Sequence, residues 1–175
     1  MSLAQVAQAV AARQLPPVGQ WDPAEEGDSE MRIAADGRWY HQDGEIRRPA
    51  MVRAFASLLR RDADGQHWLV VPTQKLRIAV EDAAFIATDV TAKDDALAFR
   101  LNTDEFVLAG PDHPLHALGD PDTPALYLLA RNGCEARLNR STYAQLAEIA
   151  LEKGENRDGG WTVTSQGVSF SLVPQ

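Results

Sequence analysis

The sequence predicts an α+β fold in which one supersecondary unit occurs twice. The order β-hairpin, helix, β-hairpin can be followed over residues 39–80 and again over residues 128–172. Each copy has a hairpin turn signal near its start, Asp-Gly at 43–44 and Asn-Gly at 132–133. Because two like units usually pack against each other, the seam between them is where a ligand pocket is expected.

The first copy begins with a strand over 39–41 and a second strand that ends at Arg48. Pro49 then suits the first position of a helix, where its missing N–H costs no hydrogen bond. The helix carries an apolar stripe, and a hairpin over 68–71 and 76–80 follows it. The stripe consists of Met51, Val52, Phe55, Leu58 and Leu59.

The second copy has strands over 128–130 and up to Arg137, followed by a helix with Ser141 as its N-cap. Its final hairpin covers 161–164 and 168–172. Each helix is expected to cover one face of a sheet. The residues expected to face inward from the second helix are Tyr143, Leu146, Ala147 and Ala150.

Two segments precede or separate these copies. The N-terminal stretch is predicted to form a short amphipathic helix over 2–13 and an ordered loop with a solvated acidic face over 21–30. Three further strands, over 85–90, 97–101 and 106–109, are expected to extend the first sheet.

A linker between the halves is predicted over residues 111–124, which include four Pro and three Asp. The predicted organisation is an N-terminal helix and loop over 1–30 and two α+β domains. The first domain covers 31–112 and the second covers 113–175.

The composition is that of a soluble globular protein, with 45% hydrophobic residues among 175. The net charge of −8 argues against nucleic acid as a partner, because phosphate binding needs clustered Lys and Arg. The single cysteine, Cys134, excludes an internal disulfide and fits a reducing compartment. The sequence shows no targeting signal and no apolar run that could cross a bilayer, so a cytoplasmic protein without membrane contact is expected.

Enzyme signatures are absent from the sequence. It has no Walker A loop, nucleophile elbow, His-Glu-x-x-His motif, paired cysteines or dinucleotide fingerprint. His113 and His116 lie three residues apart, but no acidic or thiol partner with ligand spacing accompanies them. No catalytic residue, metal site or cofactor is therefore predicted.

Arginines at the two predicted helix starts indicate an anion site. Arg48 precedes the first helix, and Arg137 and Arg140 lie at the start of the second. A helix N-terminus attracts anions, and guanidinium groups add bidentate donors that suit phosphate or carboxylate. The alternative is that these arginines form ion pairs with acidic residues on neighbouring strands. The acidic candidates are Glu45, Glu81, Asp82 and Glu135.

Other candidate ligand-binding residues lie in or next to the first copy. Lys75 could bind a ligand phosphate, and Glu81 or Asp82 could bind a ribose hydroxyl or act as a general base. Trp39 and His41 share one strand face and could contact a planar ring. The alternatives are a turn charge for the lysine, strand-end caps for the acids and a core position for the tryptophan.

A larger set of residues carries a resemblance to a known family. The set consists of Leu15-Pro16-Pro17, Trp21-Asp22-Pro23, Gly27-Asp28, Met31-Arg32-Ile33, Asp36-Gly37, Trp39, His41, Gly44, Ile46 and Arg48, then Val71-Pro72, Lys75, Ile78, Val80-Glu81-Asp82, Phe85, His113-Pro114-Leu115, Arg131, Gly133 and Glu135-Ala136-Arg137. In order and spacing these residues resemble the bacterial family catalogued as domain of unknown function 1285. The chain departs from the family pattern at Gln74, where an acid is expected, and at Ala84, where proline is expected.

The resemblance implies a duplicated α+β fold whose second half is loosely similar to pleckstrin homology domains. It also implies a nucleotide-like ligand at the interface between the halves and a link to signalling.

The leading hypothesis is therefore a cytoplasmic module that binds a small, nucleotide-like anion and has a signalling role. One alternative is a protein–protein interaction scaffold without a small-molecule ligand. Another is a hydrolase or transferase that uses Glu81 or Asp82.

Overall fold

A computed structural model describes residues 15–153, 156–157 and 160–175. The described part of the chain holds two α-helices, a short 3-10 helix and fifteen strands. In chain order they are the 3-10 helix Val18–Gln20, β1 Glu25–Ile33, β2 Trp39–His41, β3 Gly44–Glu45, α1 Pro49–Ala56, β4 Leu59–Arg61, β5 His67–Val70, β6 Gln74–Val80, β7 Phe85–Lys93, β8 Ala96–Leu101, β9 Phe106–Leu108, β10 Leu115–Asp120, β11 Thr123–Arg131, β12 Cys134–Leu138, α2 Arg140–Lys153, β13 Asn156–Arg157, β14 Gly160–Ser165 and β15 Val168–Ser171.

The chain divides into two compact units after Phe85. Among the described residues, the first unit contains 15–85 together with Ala130–Glu135, and the second contains Ile86–Leu129 and the residues from Ala136 onward. The linker predicted over 111–124 is instead occupied by β10 and the start of β11. The prolines of this segment indicated a linker, but Pro is also tolerated at strand ends and on sheet edges.

The first unit is built on a six-stranded mixed sheet with the order β3-β2-β1-β6-β5-β4. β1 runs parallel to β6, whereas its other neighbour, β2, is antiparallel. The prediction of a loop over 21–30 is therefore wrong from Glu25 onward. The acidic residues of β1 are exposed, but its backbone lies inside the sheet, and a Cβ added at Gly27 would lie 2.9 Å from the Leu76 side chain.

Helix α1 begins at Pro49, as predicted, but ends at Ala56. The helix is closed by Ser57, whose backbone N–H donates to the Arg53 carbonyl and whose hydroxyl donates to the Ala54 carbonyl. Leu59, predicted to belong to the helical stripe, is instead the first residue of β4 and pairs with β5.

The second unit contains most of a six-stranded sheet with the order β10-β11-β12-β7-β8-β9 and a separate three-stranded sheet, β13-β14-β15. The expectation that the strands over 85–109 extend the first sheet is wrong. Hydrophobic alternation identified β7, β8 and β9 as strands, but it carries no information about the strands with which they pair.

Helix α2 begins at Arg140, earlier than predicted. Its N-cap is Asn139, whose side-chain oxygen accepts a 2.9 Å hydrogen bond from the Thr142 N–H, so the assignment of Ser141 as N-cap is wrong. The buried residues of the helix are Thr142, Leu146 and Ala150. The predicted inward positions Tyr143 and Ala147 are half-buried.

The repeated order of elements is present. Each copy consists of a hairpin, a helix and a three-stranded meander, β2-β3-α1-β4-β5-β6 and β11-β12-α2-β13-β14-β15, so each meander has one short strand that the sequence did not reveal. The second hairpin turns at 132–133, with φ values of 51° and 78°. The first turns at 42–43, with φ values of 49° and 66°, and Gly44 already belongs to β3.

Each unit buries apolar side chains, among them Trp39 and Ile33 in the first and Phe99 and Leu146 in the second, and Cys134 is fully buried on β12. The helix predicted over 2–13 lies outside the described residues. Neither described helix is long and apolar enough to cross a membrane.

Candidate functional site

The first unit contains a cavity of about 340 Å³ between α1 and its sheet. Eight of the eleven residues that line it have apolar side chains, and none is an acid, a lysine or an arginine. The lining consists of Ser29, Met31, His41, Ile46, Met51, Phe55, Leu58, Leu69, Val71, Gln74 and Leu76.

Strand alternation places the floor of the cavity. Side chains on a strand point alternately to the two faces of a sheet, so Gln74 and Leu76 of β6 share one face with Leu69 of β5. The roof comes from the helix, where Met51 and Phe55 lie four residues apart on one side. Met51 is 46% exposed, so the roof is open to solvent at this residue.

Few polar groups line the cavity. The Ser29 hydroxyl donates a 2.7 Å hydrogen bond to the Arg77 carbonyl and accepts one from the Met31 N–H, so the backbone uses it. His41 and Gln74 are exposed. The cavity is therefore suited to an apolar body, and its polar contacts are confined to side chains that reach solvent.

Of the two residues predicted to contact a ring, one lines the cavity and one does not. His41 is part of the lining. Trp39 is only 2% exposed, and its ring stacks on Phe55 at 6.5 Å between centroids. Trp39 therefore packs behind the cavity lining. This is the core position that was given as the alternative for Trp39 in the sequence.

Lys75 lies on the opposite face of the sheet from the cavity. Its ammonium is 4.3 Å from the Trp68 ring centroid and forms ion pairs with Glu26 at 3.6 Å and Asp62 at 3.7 Å. Arg77 shares this face, over the same ring at 5.1 Å. The positive charge predicted for a ligand phosphate is therefore surrounded by carboxylates and an indole.

The predicted anion-binding arginines belong to different units. Arg48 occupies the N-cap position of α1 in the first unit and is exposed. Arg137 and Arg140 belong to the second unit, where Arg137 lies over the Tyr127 ring at 5.7 Å and Arg140 starts α2. Their convergence on one anion stays a prediction.

The acidic candidates have structural partners. Glu81 forms a 2.8 Å ion pair with Arg32 and accepts a 2.9 Å hydrogen bond from the Ala35 N–H, so it holds the turn between β1 and β2. Its side chain is 46% exposed, and the neighbouring Asp82 is half-buried.

Two further ion pairs concern the alternative in which the candidate arginines pair with acidic residues on neighbouring strands. Glu45 pairs with Arg47 at 3.7 Å, and Glu135 pairs with Arg61 at 3.3 Å. These two acidic residues therefore form salt bridges, but their partners are Arg47 and Arg61 and not the arginines that were predicted to bind an anion.

The two histidines considered for a metal site have other contacts. The Nδ1 atom of His113 is 3.0 Å from the Leu129 carbonyl, and the His116 ring stacks on Tyr127 at 5.5 Å. Within the described ranges, no group of three or more His, Cys, Asp and Glu side chains is placed to hold a metal ion.

Sequence reasoning missed the apolar character of the site. Three members of the predicted apolar stripe line the cavity: Met51 and Phe55 of α1, and Leu58 just after the helix. Periodicity shows that these residues face a sheet, but it does not show that they fail to fill the space above it.

The family of the chain follows from its sequence. The N-terminal domain described as domain of unknown function (DUF1285) matches residues 16–83, and the C-terminal domain described as protein of unknown function (DUF1285) matches residues 84–172. The chain belongs to the DUF1285 family. The boundary between the two DUF1285 domains agrees with the division of the structure after Phe85.

Two solved structures from the DUF1285 family are similar to the chain. A protein from Silicibacter pomeroyi DSS-3 is 36% identical, with a TM-score of 0.82 over 98% of this chain and 94% of the other. A protein from Shewanella baltica OS155 is 23% identical, with a TM-score of 0.55 over 67% of this chain and 90% of the other, which shows a shared fold alone. No curated protein matches the chain.

Proposed function

We propose that the chain is a small-molecule-binding module whose ligand places an apolar body in the cavity beneath α1. The observation that carries the proposal is the cavity itself, about 340 Å³ with a largely apolar and uncharged lining. Its size falls within the range of ligand sites in proteins, which are usually concave, mostly apolar and supplied with few polar groups.

Helix α1 forms the roof of the cavity, and little of this helix is buried, which supports the proposal. Only Ala56 of α1 is buried, and the helix has no side-chain cap at its N-terminus. Met51 and Met31 add unbranched, polarisable side chains that can adapt to different occupants. Ligand binding would bury apolar surface that the free protein leaves in contact with water.

The anionic, nucleotide-like ligand predicted from the sequence remains a separate proposal. The cavity lining has no Lys or Arg to neutralise a phosphate, so a nucleotide is a poorer occupant of this cavity than an uncharged or amphipathic molecule. A ligand shared by the two halves, a signalling role, a cytoplasmic location, a protein partner and a pleckstrin-homology-like second half likewise remain proposals from the sequence.

The proposal is tested by NMR of methionine methyl groups labelled with carbon-13. The chain has three methionines, and two of them, Met31 and Met51, line the cavity. Titration with toluene, a small neutral apolar probe, is expected to shift both of their signals saturably.

A matched pair of variants locates the binding. Met51→Glu places a carboxylate in the roof, whereas Ala54→Glu places one on the same exposed helix outside the cavity lining. We expect the first variant to weaken toluene binding at least about tenfold, because a charge next to an apolar ligand must be desolvated. The second should bind as the parent does. Linear, non-saturable shifts in the parent protein, or equal losses in both variants, would overturn the proposal.

A further inference from the structure

We infer that Gly27 of β1 is a positioning residue that sets the free volume of the cavity and thereby determines the size of the apolar ligands that fit. This inference rests on the proposed function, because it concerns the same cavity. Gly27 has no side chain and is not part of the lining. It acts through Leu76, which lines the cavity and is the residue paired with Gly27 across the sheet.

The register of the strands places Gly27 on the same side of the sheet as the cavity. Strand β1 lies inside the sheet, between β2 and β6. Gly27 is paired with Leu76 of β6, and paired residues on neighbouring strands face the same side. Ser29, two residues further along β1, lines the cavity as well. A side chain at position 27 would therefore extend toward the side that α1 covers.

The space that such a side chain needs is taken by Leu76. A Cβ added at Gly27 would lie 2.9 Å from the Leu76 Cδ2 atom, whereas carbon atoms in good contact are about 3.5–4.0 Å apart. The φ angle of Gly27 is not positive, so the backbone at this position would accept alanine. The glycine is therefore required for the placement of Leu76 and not for the course of the strand.

Leu76 has few directions in which to move. On the side away from Gly27 it is paired with Leu69 of β5. Gln74 and Ile78 are its neighbours along β6 on the same face. The sheet itself lies beneath it, so the cavity is the open direction. Any side chain at position 27 is expected to push the end of Leu76 into the cavity and to reduce its volume.

Size is the property by which this lining can distinguish apolar ligands. Most of its side chains are apolar and none is an acid, a lysine or an arginine, so neutral hydrocarbons differ here mainly in the space they need. A ligand that exceeds the free volume must displace closely packed side chains, and such overpacking is costly. The affinity of a larger ligand should therefore fall more than that of a smaller one when Leu76 moves inward.

The experiment compares three neutral probes of increasing size, benzene, toluene and p-xylene. Titrations of the parent protein and of Gly27→Ala are followed by the methyl signals of Met31 and Met51. We expect Gly27→Ala to weaken toluene binding at least about fivefold, with a smaller loss for benzene and a larger loss for p-xylene. Gly44→Ala is the control, because a Cβ there would lie 3.4 Å from the His41 carbonyl oxygen, an ordinary contact outside the lining. It should bind all three probes as the parent does.

A second substitution separates positioning from general damage to the fold. Leu76→Val shortens the side chain that Gly27 is inferred to position. In the Gly27→Ala background it should restore toluene affinity to within about twofold of the parent value, because the two residues compete for the same space. Leu76→Val alone enlarges the cavity and should favour p-xylene over benzene more than the parent does.

The possible results distinguish the role of Gly27 from the proposed function. If the parent binds toluene but Gly27→Ala weakens the three probes equally or not at all, Gly27 does not set the size of the cavity and the binding module stands. Failure of Leu76→Val to restore binding would also contradict the inference. If Gly27→Ala does not fold, unchanged size preference in Leu76→Val alone overturns the inference. If no probe shifts the parent signals saturably, both the inference and the proposed function fail.

Discussion

The two copies of the hairpin–helix–meander unit follow one order of elements but close their cores differently. In the first copy, α1 has eight residues, and Ala56 is its only buried residue. In the second copy, α2 has fourteen residues and buries Thr142, Leu146 and Ala150. A helix that is almost two turns longer covers more of the apolar surface beneath it, and the cavity described above lies under the shorter one.

The meanders also differ in what they pair with. In the first copy, β1 lies between the hairpin and the meander and joins them into one six-stranded sheet. In the second copy, the meander forms its own three-stranded sheet, and the hairpin joins β7, β8 and β9. Strands outside a repeated unit can therefore decide whether that unit forms one sheet or two.

The largest expected effect concerns two glycine turns of the second copy. Gly133→Ala should lower the free energy of unfolding by at least about 3 kcal/mol, because its Cβ would lie 2.3 Å from the Arg61 carbonyl oxygen, and φ is +78°. Gly167→Ala has a similar φ of +80° and open space around it, so about 1 kcal/mol is expected. Urea unfolding of both variants measures the difference. Equal losses would show that the turn at 132–133 is not closely packed.

A smaller effect is expected where the second meander meets the strands before it. The buried Ser165 hydroxyl donates a 2.7 Å hydrogen bond to the Ala109 carbonyl and accepts one of 2.7 Å from the Leu97 N–H. Ser165→Ala leaves both backbone groups without that partner and should cost about 2–3 kcal/mol. The exposed Ser169→Ala is the control, with an expected cost below about 0.5 kcal/mol. If thermal and urea unfolding show no difference between the two variants, this contact does not hold the second meander.

The smallest effect is a pH dependence confined to the first meander. Burial, assisted by the nearby Arg61 charge, lowers the pKa of His67 from 6.5 to about 4. The unfolded chain therefore takes up a proton that the folded chain does not, so stability contributed by His67 is complete above pH 6.5 and is lost as the pH falls toward 4. Strands β14 and β15 of the second meander contain no titratable side chain.

His67→Gln should reduce the loss of stability between pH 7 and pH 5. Because the histidine is only partly buried, solvent screening limits the difference to about 1 kcal/mol. Urea unfolding at the two pH values compares the variant with the parent protein. A parent and a variant with the same pH dependence would contradict the assignment.

Local signals in the sequence predicted much of the secondary structure. The Asn-Gly turn at 132–133 and the helix start at Pro49 are confirmed because each depends on residues a few positions apart. The same signals failed where a neighbour in space decided the outcome. The acidic segment that became β1 has no apolar alternation over most of its length, since it is held by backbone pairing with β6.

The residues of the candidate site could likewise be predicted only in part. The sequence identified His41 and the helical residues that face the cavity, together with Lys75, which lies on the other face of the sheet. Lys75 is separated from the cavity because adjacent residues on a strand point to opposite faces, and the face of each strand is set only when the sheet forms.

From the sequence alone, the repeated hairpin–helix–hairpin order and the family could be predicted. The pairing of the strands, the place where the chain divides and the cavity beneath α1 became visible only in the folded structure. Turns, caps and periodicity depend on residues that are close together in the chain. Strand pairing and packing depend instead on backbones and side-chain volumes that folding brings together from distant parts of the chain.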